Sequence, residues 1–373
     1  MKIGKVQLDS PFVVAPMAGM TDSAFRRLVK RQGGCGLVVT EMVSSEGLVR
    51  GIDRTLEYAE YTEEERPVSI QIFGGDPEKM AAAAQVVEGL GADIVDVNMG
   101  CPVPKIAKHH AGCSLMREPA HAASVINAMA KAVKIPVTVK MRAGWNDSLR
   151  NAPELARRVQ DAGAAAVTIH GRTAEQSYSG SADCSLVSDV AGKLSIPVLG
   201  SGDLLEPHQI IERLNFGESR TPLGESRIPN PESRISGVLV GRGVLRNPWI
   251  LAQAADLAAG RTPRVVTLED RGRFLLEYID MLLGEGINEA DGFRHVAQSR
   301  TAPAPSAVDG NPESRRALSR QRWVINKLRA LCSWYSKGID SGSHLRIRVN
   351  NAGSIQELRD IVHDFFLRDL VTT

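Results

Sequence analysis

The sequence predicts an α/β chain, a (β/α)8 TIM barrel followed by a smaller all-helical region, on three observations. Between Phe12 and about Gly243, short apolar runs rich in β-branched residues alternate with Ala-rich stretches. The runs are near-continuously apolar, the pattern of parallel strands covered on both faces. After Gly260 the alternation stops and amphipathic helical spacing takes over.

The runs lie at 12–17, 37–42, 68–73, 94–99, 137–141, 166–170, 198–200 and 237–240. Helices are expected between them at 22–32, 77–90, 118–134, 153–162 and 206–214. Asp22 and Asp76-Pro77 supply starts, while Gly33-Gly34, Gly91 and Gly163 supply stops. This is the strand count of a barrel. A doubly wound open sheet would want a G-x-G-x-x-G turn after an early strand, and the chain has none. Beyond a linker at Arg261–Arg264 with Pro263, helices are expected at 268–283, 323–335 and 354–366. The expected division is therefore a catalytic barrel at 1–260 and a helical domain at 261–373.

Two polar stretches interrupt this plan, at 215–236 and 299–320. Glu-Ser-Arg recurs at Glu218, Glu225, Glu232 and Glu313, among prolines that forbid a long helix. Both read as flexible surface insertions. Trp323, Trp334 and Tyr335 read as helix-packing core.

Five cysteines without a C-x-x-C spacing argue against a disulfide framework or a zinc site and suit a reducing, cytoplasmic setting. The first residues lack the apolar run of a signal peptide, and no stretch is long and apolar enough for a membrane span. His109 and His110 are adjacent rather than spaced on one helix face, so no metal is expected.

In a barrel, chemistry gathers at the C-terminal strand ends. Those ends carry Pro16-Met17-Ala18, Glu41, Gln71, Asn98 with Cys101, Lys140 with Arg142, His170 with Arg172, Ser201-Gly202-Asp203 and Gly241-Arg242. So many polar groups inside otherwise apolar runs point to one site. The glycine loops after strands seven and eight suit a phosphate, with Arg242 adding charge. Lys140 and Gln71 would then face the ring of a phosphate-bearing cofactor, where a cation stabilises a reduced flavin. Cys101, directly after a strand, reads either as a nucleophile with His170 as base or as a general acid. Cys113 lies in a similar loop with nothing else pointing to chemistry; Cys35, Cys184 and Cys332 read as small buried hydrophobes.

Taken together these motifs resemble the tRNA-dihydrouridine synthases, with the region after Gly243 similar to the bacterial B-type branch. The resemblance runs through Ala15–Asp22, Gln71-Ile72-Phe73-Gly74, Asn98-Met99-Gly100-Cys101-Pro102 with Lys105, Lys140-Met141-Arg142, His170-Gly171-Arg172-Thr173 and Gly241-Arg242-Gly243. Other flavin barrels, such as dihydroorotate dehydrogenases, share the phosphate loops without this combination. The resemblance implies FMN held by Pro16, Met17, Ala18, Gln71, Lys140, His170, Ser201, Gly202, Asp203, Gly241 and Arg242. It implies NADPH as reductant, hydride delivery from flavin N5 to C6 of a D-loop uridine, and Cys101 as proton donor to C5. Asn98, Lys105 and Arg172 would hold the uracil or its phosphates, and the base must leave its stack to reach the flavin. Ser201 departs from the asparagine common in the family. The stretch at 215–236 directly precedes strand eight and is expected to loop outside.

A tRNA partner also suits the helical region. From Arg294 to Arg348 there are eleven Lys/Arg against three Asp/Glu. That excess would attract RNA phosphates.

Overall fold

The computed structural model describes residues 1–107, 110–216, 235–284 and 312–367. Among these residues, eight parallel strands close into a ring: β1 (Phe12–Val14), β2 (Leu37–Val39), β3 (Val68–Phe73), β4 (Ile94–Met99), β5 (Val137–Arg142), β6 (Ala166–His170), β7 (Val198–Ser201) and β8 (Gly237–Val240). Each pairs with its successor; β8 returns to β1 with Val240 opposite Val14. A further short strand, Val43–Ser44, runs beside β3. β1 and β2 end earlier than their apolar runs. After β1, Met17 O accepts the backbone N–H groups of Met20 and Thr21, so the chain is already turning.

The helices between strands bury one face against the outside of the ring, in a core that includes Phe25, Val87, Val125 and Val159. The first, Ser23–Gln32, is capped by Asp22, whose side chain accepts from Phe25 N. Pro77–Gly89 is capped in the same way by Asp76. Sequence periodicity missed the helices Cys184–Ala191 and Ile250–Ala258.

Inside the ring the side chains are graded. The floor is apolar: Val13, Leu37, Ile94, Ala166, Leu199 and Leu239 form a separate buried cluster. An unforeseen antiparallel hairpin, Lys2–Ile3 with Val6–Gln7, adds Ile3 and Leu8 to it. Two residues further along the strands the same inward face turns polar, with Asp96, Thr168 and Ser201 all buried. The strand period of two thus sets polar groups on an apolar floor at the C-terminal end.

Beyond the barrel lie helices Leu268–Leu283, Pro312–Tyr335, Gly342–Asn351 and Ile355–Phe366. The third was not expected. The second starts at Pro312, inside the stretch expected to be a flexible insertion. A proline is tolerated at the first helical position, where its missing N–H costs nothing. The remainder of that insertion, and 217–234 of the other, lie outside the described residues, as does the expectation that the latter loops outside. Phe25 from the barrel meets Phe274 and Tyr278 edge-on at 6.1 Å each. Phe274 in turn touches Trp249 and stacks on Tyr335. One aromatic cluster therefore crosses the expected boundary near residue 260. Tyr335 is buried as expected, whereas Trp323 is 37% exposed and corrects the core reading. Its ring instead carries the Arg320 guanidinium at 4.3 Å and the Lys327 ammonium at 5.2 Å.

Candidate functional site

A cleft with about 600 Å³ of empty space opens at the C-terminal strand ends. Pro16, Met17, Lys140, His170, Ser201, Gly202, Asp203, Gly241 and Arg242 line it, all of them expected at the site. Arg142, Tyr178, Leu204 and Leu205 join them without having been singled out as site residues. Arg142 was legible as a strand-end cation; Tyr178, in the loop after β6, gave no signal beyond being aromatic. Ala18 is exposed on the β1 loop, outside the lining.

The charges around the cleft are arranged by burial. Desolvation, and then the neighbouring Arg142 guanidinium, bring Lys140 down to about 8. Burial followed by the cations Lys140, Arg142, Arg172 and Arg242 pushes His170 down to about 2, so its ring is neutral. The His170 ring packs against Gly202: a Cβ there would come within 2.8 Å of it and within 2.7 Å of Ala182. At φ +110° and with no room, only glycine fits. Arg142 is spent on the chain itself, donating to Gly100 O at 2.8 Å and Thr173 O at 2.9 Å.

Two residues expected to hold substrate have partners within the chain. Arg172 is 3% exposed and pairs with Asp203 at 2.8 Å, donating also to the carbonyls of Ser179 and Gly180. Burial works against the Asp203 charge, but Arg172 and the Ala182 amide outweigh it and hold the carboxyl below its usual range. Asp203 also reaches Arg242 at 3.4 Å, and that guanidinium lies 4.7 Å from the Tyr178 ring. The aspartate is thus an anchor for two arginines.

Asn98 is engaged at both ends of its amide. Its Nδ2 donates to Gln71 Oε1 at 2.8 Å, and its Oδ1 accepts from Gly100 N at 3.1 Å and Cys101 N at 2.9 Å. Gln71, 1% exposed and outside the cleft lining, donates from Nε2 to Asp96 Oδ2 at 2.7 Å. Thr138 donates to the other Asp96 oxygen at 2.6 Å, and burial raises the Asp96 pKa. A hydrogen-bonded chain thus runs from Asp96 through Gln71 and Asn98 to the backbone of Cys101. Cys101 itself is half-buried and outside the cleft lining, near enough to Lys140 for their charges to interact. Its carbonyl accepts from Cys113 N at 3.1 Å, while burial drives the Cys113 thiol up to about 11. Lys105 stands on the short helix Pro104–Ala107, its side chain outside the described residues.

The basic excess of the helical region is partly consumed within the fold. Arg348 pairs with Asp364, Arg346 donates to Ser336 and Arg329 to Ala352 O. Arg294 and Arg300 lie outside the described residues. Among the described residues no group of three His, Cys, Asp or Glu could hold a metal ion, and no helix is long and apolar enough to cross a membrane.

The family model described as dihydrouridine synthase (Dus) matches residues 13–332, most of the chain. The chain belongs to the dihydrouridine synthase family. A probable tRNA-dihydrouridine synthase of Rickettsia bellii is 33% identical over 98% of each chain. One from Rhizobium leguminosarum bv. phaseoli is 39% identical over 80% of this chain and 88% of its own. A tRNA-dihydrouridine synthase B of Xanthomonas campestris pv. campestris is 36% identical over 69% of this chain and 73% of its own. Among solved structures, nitroalkane oxidase from Streptomyces ansochromogenes matches 71% of this chain and 70% of that chain, with 18% identity and a TM-score of 0.38. Membership of the dihydrouridine synthase family makes the chain an oxidoreductase.

Proposed function

We propose that the chain reduces D-loop uridines of tRNA to 5,6-dihydrouridine in the cytoplasm, with FMN bound in the cleft and NADPH as reductant. The observation that carries this reading is the meeting of Lys140, neutral His170, Gly202 and Arg242 around one cleft, with Cys101 tethered beside it. The lining suits a flavin phosphate. Gly202 brings backbone close where a side chain would clash, Gly241 adds a second glycine to the lining, and Arg242 adds a charge. These residues would hold the phosphate; Pro16, Met17, Ala18, Gln71, Lys140, His170, Ser201 and Asp203 complete the cofactor's surroundings. The chemistry that a bound flavin supplies is hydride donation to C6 of the uracil.

The rest falls to the chain. Cys101 gives its thiol proton to C5, and Asn98 fixes the backbone from which that thiol projects. Arg142, by holding Gly100 O, secures the same turn from the β5 side. The half-buried Lys140 ammonium offers positive charge where electron density collects on the ring. His170, being neutral, is available to hydrogen-bond without adding charge. Lys105 and Arg172 are assigned to the RNA side, Arg172 through the loop it braces.

NADPH-dependent dihydrouridine formation in tRNA transcripts tests the reading. Wild-type protein is expected to carry FMN and form the product, and Cys101→Ala to lose about 10²- to 10⁴-fold in rate while still binding tRNA. Full-rate product from Cys101→Ala would overturn the proton-donor assignment. Reduction of free uracil without RNA would overturn the substrate.

A further inference from the structure

The loop after β1 carries Pro16 and Met17 to the cleft, yet its far end is fastened by the helical region rather than by the barrel alone. Lys327, on the helix Pro312–Tyr335, donates from Nζ to Gly19 O at 2.8 Å. The same ammonium lies 3.0 Å from Asp22 Oδ2 and 3.3 Å from Glu41 Oε1. The second Glu41 oxygen accepts from Gly19 N, so one ion pair grips both polar groups of the Gly19 residue. Asp22 is held in turn by the Tyr278 hydroxyl at 2.8 Å, while its other oxygen caps the first barrel helix.

The ion pair is buried although Gly19 itself is exposed. The Lys327 side chain is 11% exposed and that of Glu41 6%. Burial opposes the Lys327 charge, but Asp22 and Glu41 outweigh it and hold its pKa above the ordinary value. Packing does not hold Gly19. It sits at φ +77°, and a Cβ there would meet nothing within 4 Å. Its conformation is therefore fixed by hydrogen bonds, and the cation that completes them comes from more than 280 residues away in sequence.

We infer that Lys327 is a positioning residue for the cofactor loop: by gripping Gly19, Asp22 and Glu41 it sets Pro16 and Met17 at the cleft. The helical region thereby completes the flavin site. This rests on the flavin reading above. It assigns a role inside the barrel mouth to a lysine that the sequence counts only as part of a basic surface.

The test compares FMN dissociation constants, visible flavin spectra and melting temperatures of the full chain, as wild type, Lys327→Met, Lys327→Gln and Tyr278→Phe. Both Lys327 variants are expected to bind FMN about 10- to 100-fold more weakly, the usual range for losing a hydrogen bond to a charged group, with an altered flavin spectrum. Tyr278→Phe takes a partner from Asp22 but none from Gly19. It is expected to lower the melting temperature and leave FMN binding near wild type. Should Lys327→Met fail to fold, Lys327→Gln, which keeps a donor, carries the comparison. FMN bound equally well by wild type and the Lys327 variants, with only the melting temperature lowered, would make the lysine a strut and overturn the inference alone. A wild type that takes up no FMN would overturn the functional reading and the inference with it.

Discussion

Lys140 is poised to lose its charge close to neutrality, because the barrel wall removes its water and Arg142 sits nearby. Turnover and FMN affinity are expected to fall as pH rises through about 8, and a pH–rate profile with Lys140→Gln alongside should show that limb vanish. The stability sign is opposite. The folded pKa lies below the unfolded 10.5, so the charged lysine costs stability below about 8 and that cost fades between 8 and 10.5. At this scale the sequence was partly legible. Cys101 and Lys140 announce themselves by standing polar at the ends of apolar strands. Asn98 did not reveal its partners, because whether an amide meets substrate or Gln71 depends on the register of β3 against β4. Arg172 hid its partner for a similar reason: Asp203 reaches it only once β6 and β7 are side by side.

The first barrel helix shows what an element needs to stay in place beside the mouth. Arg26, buried along that helix, donates to Glu65 at 2.6 Å, and its other nitrogens bond Thr21 O and Glu60 O. Glu65 is fully buried on a short turn before β3 and also accepts from Ser23. Glu65→Ala leaves a guanidinium without its countercharge and is expected to cost about 3–5 kcal/mol in denaturant unfolding. Strand and helix positions were largely readable, since Asp22 and Asp76 mark starts and the apolar runs mark strands. The start at Pro312 was not, because a proline after a polar stretch reads equally as a breaker or as a first helical residue. The hairpin at the N-terminus was invisible for a different reason: two-residue strands carry no periodicity.

At the level of the whole molecule, the barrel and the helical region share the aromatic cluster of Phe25, Trp249, Phe274, Tyr278 and Tyr335. A single unfolding transition is expected, with flavin release and tryptophan emission changing together. Phe274→Ala removes the ring at the centre of the cluster and should cost about 3–5 kcal/mol, lowering both signals in step. Two separated transitions in the wild type would show that the shared core does not couple the regions. Linker composition pointed to a boundary, and composition cannot show which aromatic rings meet across it.

The hairpin beneath the barrel has a consequence for traffic. With Ile3 and Leu8 filling the floor, the cleft is a room reached over its upper lip. On the proposed reading, a nicotinamide and an RNA base therefore approach the cofactor through the same doorway, and nothing is passed through from below.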